Sequence, residues 1–374
     1  MIARHLEPIV VSNLFKGKAI IIIGPRQVGK TTLVKHIYDG VDKKKLFLNC
    51  DDLETKNVLS NQSINRLTDL VGGYDLVVID EAQRVRDIGI ILKIIIDNIS
   101  TTQLIVTGSS ALELSNQINE PLTGRKFEYI LYPISTGEMV NETSKFEESG
   151  ILYKRLIYGS YPDVVKSPGN EKEILNNLVS SYLYRDLFAY QDIRKPVLLE
   201  NLLKALALQI GSEVSYNELS RLLSSDIKTI ERYIDLFEKV YIIFRLNSFS
   251  RNLRTELKKS RKIYFYDNGI RNVLIRNFND INSRTDTGQL WENFLVGERI
   301  KHTHYKREYL SRYFWRTNQQ QEIDYIEDFG GKLYAYEFKW SPRKKSLFSK
   351  SFINNYNVAE TRTITPNNYL EFIT

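Results

Sequence analysis

Residues 24–32 constrain this chain more than any other part of its sequence. They read GPRQVGKTT, follow the aliphatic run Ala19–Ile23 and precede a helical pattern over residues 32–38. A strand, a glycine-rich loop and a helix start in this order are typical of a phosphate-binding loop, because the loop N–H groups and the positive end of the helix dipole face the same anion. Gly24 and Gly29 let the backbone approach phosphate where a Cβ atom would obstruct it.

This loop predicts a nucleoside triphosphate site that takes ATP and Mg²⁺. Lys30 has the reach for the β- and γ-phosphates, and the Thr31 hydroxyl is a suitable Mg²⁺ ligand. The predicted nucleotide-binding residues of the loop are Gly24, Pro25, Arg26, Gln27, Val28, Gly29, Lys30, Thr31 and Thr32.

A second predicted strand ends in two carboxylates. Residues 76–79 are four apolar side chains in a row, as in a central parallel strand, and Asp80 and Glu81 follow them. At the carboxyl edge of the sheet we expect Asp80 to bind Mg²⁺ and Glu81 to polarise the attacking water, which makes the chain an ATPase. The alternative is that Asp80 merely caps the next segment, and the glycine loop about fifty residues upstream argues against it.

Two further positions are candidates for contact with the γ-phosphate. Residues 104–110 predict another buried strand, and Ser109 or Ser110 either senses the phosphate or only satisfies the strand end. Arg125, in the segment LTGR, can supply positive charge to a transferring phosphate in its own subunit or in a neighbour's. An ordinary surface position is the alternative for Arg125. We expect a homo-oligomer.

Composition indicates a globular, cytoplasmic protein with two or three domains. Of the 374 residues, 42% are hydrophobic and 26% are charged, and no apolar run is long enough to span a membrane. The amino terminus lacks the apolar core of a signal peptide. The single cysteine, Cys50, makes no internal disulfide, and we expect it to be a buried structural thiol.

The positive charge is concentrated near the carboxyl terminus. Residues 251–374 hold 22 Lys and Arg against 14 Asp and Glu, a net charge of +8, whereas the whole chain carries +7. A basic region of this kind favours a nucleic acid as partner. A solvated basic surface without a partner is the alternative.

Several segments together resemble one group of proteins. They are GPRQVGKTT, LVVIDEAQR, GSSALEL, LTGR and LYPIS, followed by GSYPD at 159–163 and YRD at 184–186. Across essentially its whole length the chain resembles bacterial and archaeal AAA-type ATPases fused to a C-terminal domain of unknown function with a nuclease-like core. The resemblance implies an α/β fold: a parallel P-loop NTPase sheet with a helical lid, then a winged helix and a restriction-endonuclease-like domain. It implies no substrate.

The pattern after residue 205 has a winged-helix outline. Ser215 and Glu218 predict a capping box, a second helix begins near Ile227, and two strands follow over 241–246 and 262–266. A DNA-reading version would present the second helix to a groove. Acidic side chains on that same helix favour a structural or protein-contacting role instead.

A predicted hairpin near the carboxyl terminus collects two carboxylates and a lysine. If its turn closes on Phe329 and Gly330, Asp324 lies opposite Ala335. Strand periodicity then places two further polar side chains on the same face as Asp324, namely Glu337 and Lys339.

A third carboxylate, Glu292, lies on the helix that precedes the hairpin. Two or three carboxylates can bind a divalent cation, so the predicted metal ligands here are Glu292, Asp324 and Glu337. The arrangement resembles the PD-(D/E)xK nuclease core and implies Glu337 and Lys339 as its catalytic residues. An ordinary cross-strand ion-pair network is the alternative.

The predicted domains are an ATPase core (1–145), a helical lid (146–205), a winged helix (206–280) and a nuclease-like domain (281–374). We expect ATP hydrolysis to be coupled to a nuclease-like domain that faces nucleic acid. The rival hypothesis is an ATP-dependent switch or scaffold with a catalytically inactive C-terminal domain. A sequence-specific regulator that acts through the winged helix is a third possibility.

Overall fold

Two compact units make up the chain in a computed structural model. The structure describes residues 2–60, 63–108, 121–183, 195–250, 261–317, 319–343 and 348–374, together with Ile118 and Leu187. The first unit comprises Met1–Pro133 and Lys239–Tyr241, and the second comprises Ile134–Glu238 and Ile242–Thr374. Each unit contains one sheet.

The first unit is built on a five-stranded parallel sheet, in the order β2-β3-β4-β1-β5. Its strands are β1 (Ala19–Ile23), β2 (Lys45–Asn49), β3 (Leu76–Asp80), β4 (Gln103–Gly108) and β5 (Lys126–Ile130). The predicted parallel α/β core is therefore confirmed. β1, β3 and β4 are buried along their whole length, which explains their nearly unbroken aliphatic sequences.

Helices flank this sheet. They are α1 (Leu6–Val11), α2 (Lys30–Gly40), α3 (Leu53–Leu59), α4 (Ile64–Val71) and α5 (Ile88–Asn98), with a short 3₁₀ turn at Ala82–Arg84. α2 buries Leu33, Val34 and Ile37, the spacing of one helical face, so it packs on the sheet directly after the glycine loop.

The second unit is built on a seven-stranded mixed sheet, in the order β12-β11-β10-β9-β7-β8-β6. Its strands are β6 (Glu213–Val214), β7 (Ile243–Ser248), β8 (Arg261–Phe265), β9 (Ser311–Arg316), β10 (Glu322–Phe329), β11 (Lys332–Phe338) and β12 (Val358–Ile364). β7 pairs in parallel with β9 through Asn247 and Tyr313. The two strands predicted for the winged helix and the hairpin predicted near the carboxyl terminus are therefore parts of one continuous sheet.

The helices of the second unit are distributed along its whole length. They are α6 (Thr136–Glu142), α7 (Lys145–Gly150), α8 (Leu152–Tyr158), α9 (Pro162–Lys166), α10 (Glu171–Asn177), α11 (Pro196–Leu208), α12 (Tyr216–Leu222), α13 (Ile227–Lys239), α14 (Asn268–Leu274), α15 (Thr287–Tyr305), α16 (Lys350–Asn355) and α17 (Tyr369–Ile373). A π-helical segment covers Leu178–Leu183, and a 3₁₀ turn covers Ile281–Ser283.

The boundary between the units lies at residue 133, before the predicted end of the ATPase core at residue 145. The segments predicted as a helical lid and a winged helix belong to the second unit, apart from residues 239–241. Their assignment as separate domains stays a prediction. In the part of the chain that the structure describes, no helix is both long and apolar enough to cross a membrane.

The predicted register of the β10–β11 hairpin is wrong by two residues. Tyr325 pairs with Tyr336, and the last pair before the turn is Phe329 with Lys332. The turn is therefore Gly330–Gly331, and continuing the pairing places position 324 opposite position 337 rather than 335. Because the shift is an even number of residues, the face that each side chain occupies is unchanged.

A buried polar network organises the middle of the second unit around Asp267. Its carboxylate accepts hydrogen bonds from the Ser160 backbone N–H (2.7 Å) and from the Ile270 N–H at the start of α14 (3.1 Å). A Cβ atom on Gly159 would lie 2.0 Å from Asp267 Oδ1. The GSYPD segment is therefore held against the start of α14 by the Asp267 carboxylate, which leaves no room for a side chain at residue 159.

Candidate functional site

The loop between β1 and α2 adopts a backbone that depends on its glycines. Gly24 has φ +148° and Gly29 has φ +93°, both in the region that side chains disfavour. A Cβ atom on Gly24 would lie 2.2 Å from the Leu131 carbonyl oxygen, and the Leu131 N–H donates to Ile23 O (2.8 Å). The loop is therefore pressed against the chain that leaves β5, and its first residue has to be glycine.

Lys30 lies at the first turn of α2 with its ammonium inside the loop. Lys30 Nζ donates to the carbonyl oxygens of Gly24 (3.0 Å) and Pro25 (2.8 Å), and the residue is only 5% exposed. The loop thus concentrates one buried positive charge beside the N–H groups at a helix start, which is an arrangement that favours a polyanion.

Thr31 and Asp80 join the two sequence motifs. Thr31 Oγ1 donates to Asp80 Oδ2 (2.9 Å), and Asp80 is buried at the end of β3. A hydroxyl and a carboxylate are the hard oxygen ligands that Mg²⁺ takes in proteins. These two residues therefore fit the Mg²⁺ role that the sequence predicts for them.

Thr107, a residue that the sequence analysis did not assign, ties the acidic strand to β4. Its hydroxyl donates to Asp80 Oδ1 and accepts a hydrogen bond from the Glu81 N–H (3.1 Å). Thr107 is completely buried. Its only sequence signal is a hydroxyl at the end of an apolar run, so its role depends on β4 lying beside β3.

Glu81 follows β3 in a left-handed backbone conformation, with φ +53°. Such a conformation is unfavourable for glutamate and is often found at functional sites. Gln83 Nε2 donates to Glu81 Oε2 (2.6 Å) and so holds the carboxylate in position. Gln83 is the second residue that the sequence analysis missed, although it lies in the motif LVVIDEAQR.

The remaining predicted loop residues differ in exposure. Val28 is fully buried, Arg26 and Gln27 are half-buried, and Thr32 is exposed on α2. The predicted sensor, Ser109 or Ser110, lies outside the described residues.

Arg125 does not join this site within its own chain. It directly precedes β5, and its carbonyl accepts a hydrogen bond from the Ala19 N–H (3.0 Å) at the start of β1. Since β1 and β5 are parallel, Arg125 lies at the amino edge of the sheet, about 16 Å along the strands from the phosphate loop. Its guanidinium donates to Asp97 Oδ1 (2.6 Å). The partly exposed ion pair with Asp97 is compatible with an ordinary surface position, and the contact with a neighbouring copy stays a prediction.

Cys50 lies close to the acidic residues at the carboxyl edge of the first sheet. The thiol is buried, as predicted, and burial together with Asp80, Asp51 and Glu81 raises its pKa to about 12. A thiol with that pKa stays protonated and unreactive at neutral pH. The predicted burial of Cys50 is therefore confirmed, and its structural role stays a prediction.

A second charged cluster occupies the sheet of the second unit. Lys262 Nζ contacts Glu292 Oε1 (2.9 Å) and Glu322 Oε1 (2.6 Å), and the Tyr264 hydroxyl donates to Glu292 Oε1 (2.6 Å). Burial alone would lower the pKa of Lys262, but the neighbouring acidic groups raise it well above its ordinary value. Lys262 is therefore a buried cation bound between carboxylates.

The predicted hairpin residues lie beside this ion pair. Lys339 Nζ contacts Glu337 Oε2 (2.6 Å) and Asp324 Oδ2 (3.6 Å), and the Phe338 N–H donates to Asp324 Oδ2 (2.8 Å). Burial and then Asp324 raise the pKa of Glu337 to about 7, and burial also raises the pKa of Glu292. The cluster therefore makes the ionisation of these two carboxyl groups less favourable.

The predicted three-carboxylate metal site is not assembled. Among the described residues, no three His, Cys, Asp or Glu side chains form a group that could hold a metal ion. The physical reason is that Glu292 bonds to Lys262 and Tyr264, while Glu337 bonds to Lys339. Two ammonium groups, those of Lys262 and Lys339, lie among these carboxylates.

Comparison with known families gives a match that covers most of the first unit. Residues 16–140 match the AAA domain family. Residues 150–281 and 287–369 match two families described as domains of unknown function, DUF8612 and DUF4143. The residues that match the AAA domain family include the loop at 24–32, Asp80, Glu81 and Thr107.

Three relatives of this chain carry the description uncharacterized protein. One from Mycobacterium tuberculosis is 25% identical over 340 residues, covering 87% of this chain and 71% of that protein. One from Methanocaldococcus jannaschii is 24% identical over 352 residues, covering 87% and 75%. One from Haemophilus influenzae is 26% identical over 271 residues, covering 67% and 68%.

Solved structures give weak matches to this chain. The Drosophila ORC bound to AT-rich DNA and Cdc6 has a TM-score of 0.26 at 12% identity, covering 72% of this chain and 89% of that chain. The Bacteroides Pif1 bound to ssDNA has a TM-score of 0.25 at 14% identity, covering 48% and 50%. Matches with TM-scores this low do not indicate a shared fold or a shared partner.

Proposed function

We propose that this chain binds ATP with Mg²⁺ at residues 24–32 and hydrolyses it. The observation that carries the proposal is the Thr31–Asp80 hydrogen bond, which brings the loop motif and the acidic motif to one edge of a parallel sheet. Lys30 and Glu81 lie at the same edge. The match of residues 16–140 to the AAA domain family supports the same conclusion.

Each residue has a distinct role in this proposal. Lys30 exchanges its two loop carbonyls for phosphate oxygens and neutralises the charge that develops during phosphoryl transfer. Thr31 and Asp80 hold Mg²⁺, which when bound polarises the phosphate oxygens. Glu81, oriented by Gln83, accepts a proton from the attacking water. Arg125 acts on the site of a neighbouring copy in a homo-oligomer.

We expect replacement of Lys30 by alanine to weaken Mg·ATP binding about 100-fold, because a buried charge-assisted contact to phosphate is lost. Isothermal titration calorimetry with Mg·ATP measures this change. Lys35→Ala is the matched control, since Lys35 is an exposed lysine on the same helix, α2. The proposal fails if wild-type protein binds no Mg·ATP, or if Lys30→Ala and Lys35→Ala bind it equally well.

The second unit favours a switch over a nuclease. The observation behind this second candidate function is the pairing of Glu292 with Lys262 and of Glu337 with Lys339, which places two ammonium groups among the carboxylates. Cutting of a phosphodiester by a carboxylate site requires a divalent cation there, and Lys262 would compete with that cation for Glu292. In this proposal, ATP changes the assembly of the chain, and the basic C-terminal region contacts nucleic acid without cutting it.

We expect the wild-type protein to leave plasmid DNA and short RNAs uncut in Mg²⁺ or Mn²⁺, and to change its oligomer size with Mg·ATP. Gel assays of the nucleic acids and sizing chromatography measure the two outcomes. Lys30→Ala, which should not respond to ATP, is the control for the size change. Cleavage that disappears in Glu337→Gln would show instead that the cluster is a nuclease site.

A further inference from the structure

Arg4 is buried against the phosphate loop although it lies before the residues that match the AAA domain family. Its Nη1 donates to the Val28 carbonyl oxygen (2.7 Å), and its Nη2 donates to the Tyr132 carbonyl oxygen (2.7 Å). One guanidinium therefore bridges the loop to the segment that follows β5. These are charge-assisted hydrogen bonds in a buried place, so they are strong and directional.

The contact with Val28 fixes a peptide unit that faces the predicted phosphate site. The Val28 carbonyl and the Gly29 N–H belong to one planar trans peptide, in which the two groups point in opposite directions. Because Arg4 binds the carbonyl, it turns the Gly29 N–H away from itself. It also prevents the carbonyl oxygen from rotating toward an anion in the loop.

The contact with Tyr132 anchors this arrangement to the sheet. At the other end of the loop, Gly24 packs on the carbonyl of Leu131, the neighbour of Tyr132. Both ends of the loop are therefore tied to residues 131 and 132, one end directly and the other end through Arg4. A Cβ atom on Gly29 would lie 3.7 Å from Arg4 Nη1, so the guanidinium lies directly behind the loop.

We propose that Arg4 is a positioning residue that holds the N–H groups of the loop in the orientation that binds the phosphates of ATP. This inference rests on the proposed ATP-binding function. α1 has a separate means of attachment, since Leu6 and Val10 are buried. The anchoring of the helix and the positioning of the loop can therefore be separated by mutation.

The test measures the affinity for phosphates in three variants: Arg4→Ala, Arg4→Lys and Leu6→Ala. We expect Arg4→Ala to weaken the binding of Mg·ATP and of sodium tripolyphosphate about tenfold each, because both probes need the oriented N–H groups. Arg4→Lys keeps the charge but lacks the forked donor, so its affinity should be intermediate. In steady-state assays Arg4→Ala should raise KM for ATP about tenfold and leave kcat within about twofold.

Leu6→Ala is the control for a merely structural role. It should lower the thermal midpoint of the protein and leave the affinity for both probes unchanged. The inference is overturned if Arg4→Ala binds Mg·ATP like wild type, or if Leu6→Ala loses as much affinity as Arg4→Ala. If Arg4→Ala does not fold, wild-type affinity in Arg4→Lys overturns it. Wild-type binding that depends on Lys30 keeps the ATP proposal intact in each case.

Discussion

Replacing Glu81 by glutamine will leave Mg·ATP binding intact and lower ATP turnover about 1,000-fold, because the group that accepts the proton of the attacking water is lost. Glutamine has nearly the same shape as glutamate, and Gln83 Nε2 can still donate to its side-chain oxygen. The bond from the residue 81 N–H to Thr107 Oγ1 uses only the backbone of residue 81 and is kept. The substitution therefore removes the chemistry while it preserves the geometry of the acidic edge.

Phosphate release measures kcat for this variant, and calorimetry measures its Kd for Mg·ATP. The matched control is Glu54→Gln, the same substitution at an exposed position in the first turn of α3, where no change is expected. A Glu81→Gln enzyme that turns over within about threefold of wild type would exclude Glu81 as the proton acceptor. A loss of binding together with turnover would indicate that the carboxylate helps to shape the site.

The fold around the loop at residues 24–32 was predictable because its signal is local in sequence. Three consecutive segments form it: β1, the loop and the start of α2. Each has a residue pattern that only one backbone conformation satisfies well. The acidic motif at Asp80 and Glu81 was found in the same way. The hydrogen bond between Thr31 and Asp80 then follows from parallel strands that present their carboxyl ends at one edge.

The hairpin register shows what a local pattern leaves undetermined. The segment that we predicted as its turn contains Phe329, Gly330 and Gly331, and either adjacent pair can close a two-residue turn. In the structure Gly330 and Gly331 have φ +62° and +75°. The tight turn that suits twisted antiparallel strands needs positive φ at both central positions, and phenylalanine tolerates this poorly. A stricter use of that rule would have predicted the observed register.

Contacts between distant parts of the chain were not predictable from the sequence. Thr107 bonds Asp80 only because β4 lies beside β3, and Lys262 bonds Glu292 across 30 residues of sequence. Arg125 looked like a candidate for the phosphate site until the parallel pairing of β5 with β1 placed it at the opposite edge. Sheet order decides the first and the third of these, and the packing of α15 against β8 decides the second. No local propensity encodes either.

Replacing Asp267 by alanine should lower the free energy of unfolding of the second unit by about 3 kcal/mol, because two buried N–H groups lose their acceptor. These are the N–H groups of Ser160 and Ile270. Loss of a carboxylate whose pKa is raised by burial offsets part of this cost. Urea denaturation followed by tryptophan fluorescence measures the effect in this unit alone, since all three tryptophans belong to it: Trp291, Trp315 and Trp340.

A double-mutant cycle of Gly159 and Asp267 measures how strongly these two residues are coupled. Gly159→Ala alone should cost about 3 kcal/mol, since its Cβ meets the carboxylate at a position with φ +71°. In the Asp267→Ala background the obstruction is gone, so only the strain of positive φ remains, about 1 kcal/mol. Gly169→Ala measures that strain separately, because Gly169 has φ +94° and open space around its Cβ position. Additive costs for Gly159→Ala and Asp267→Ala would show that the GSYPD segment and α14 are not coupled through this carboxylate.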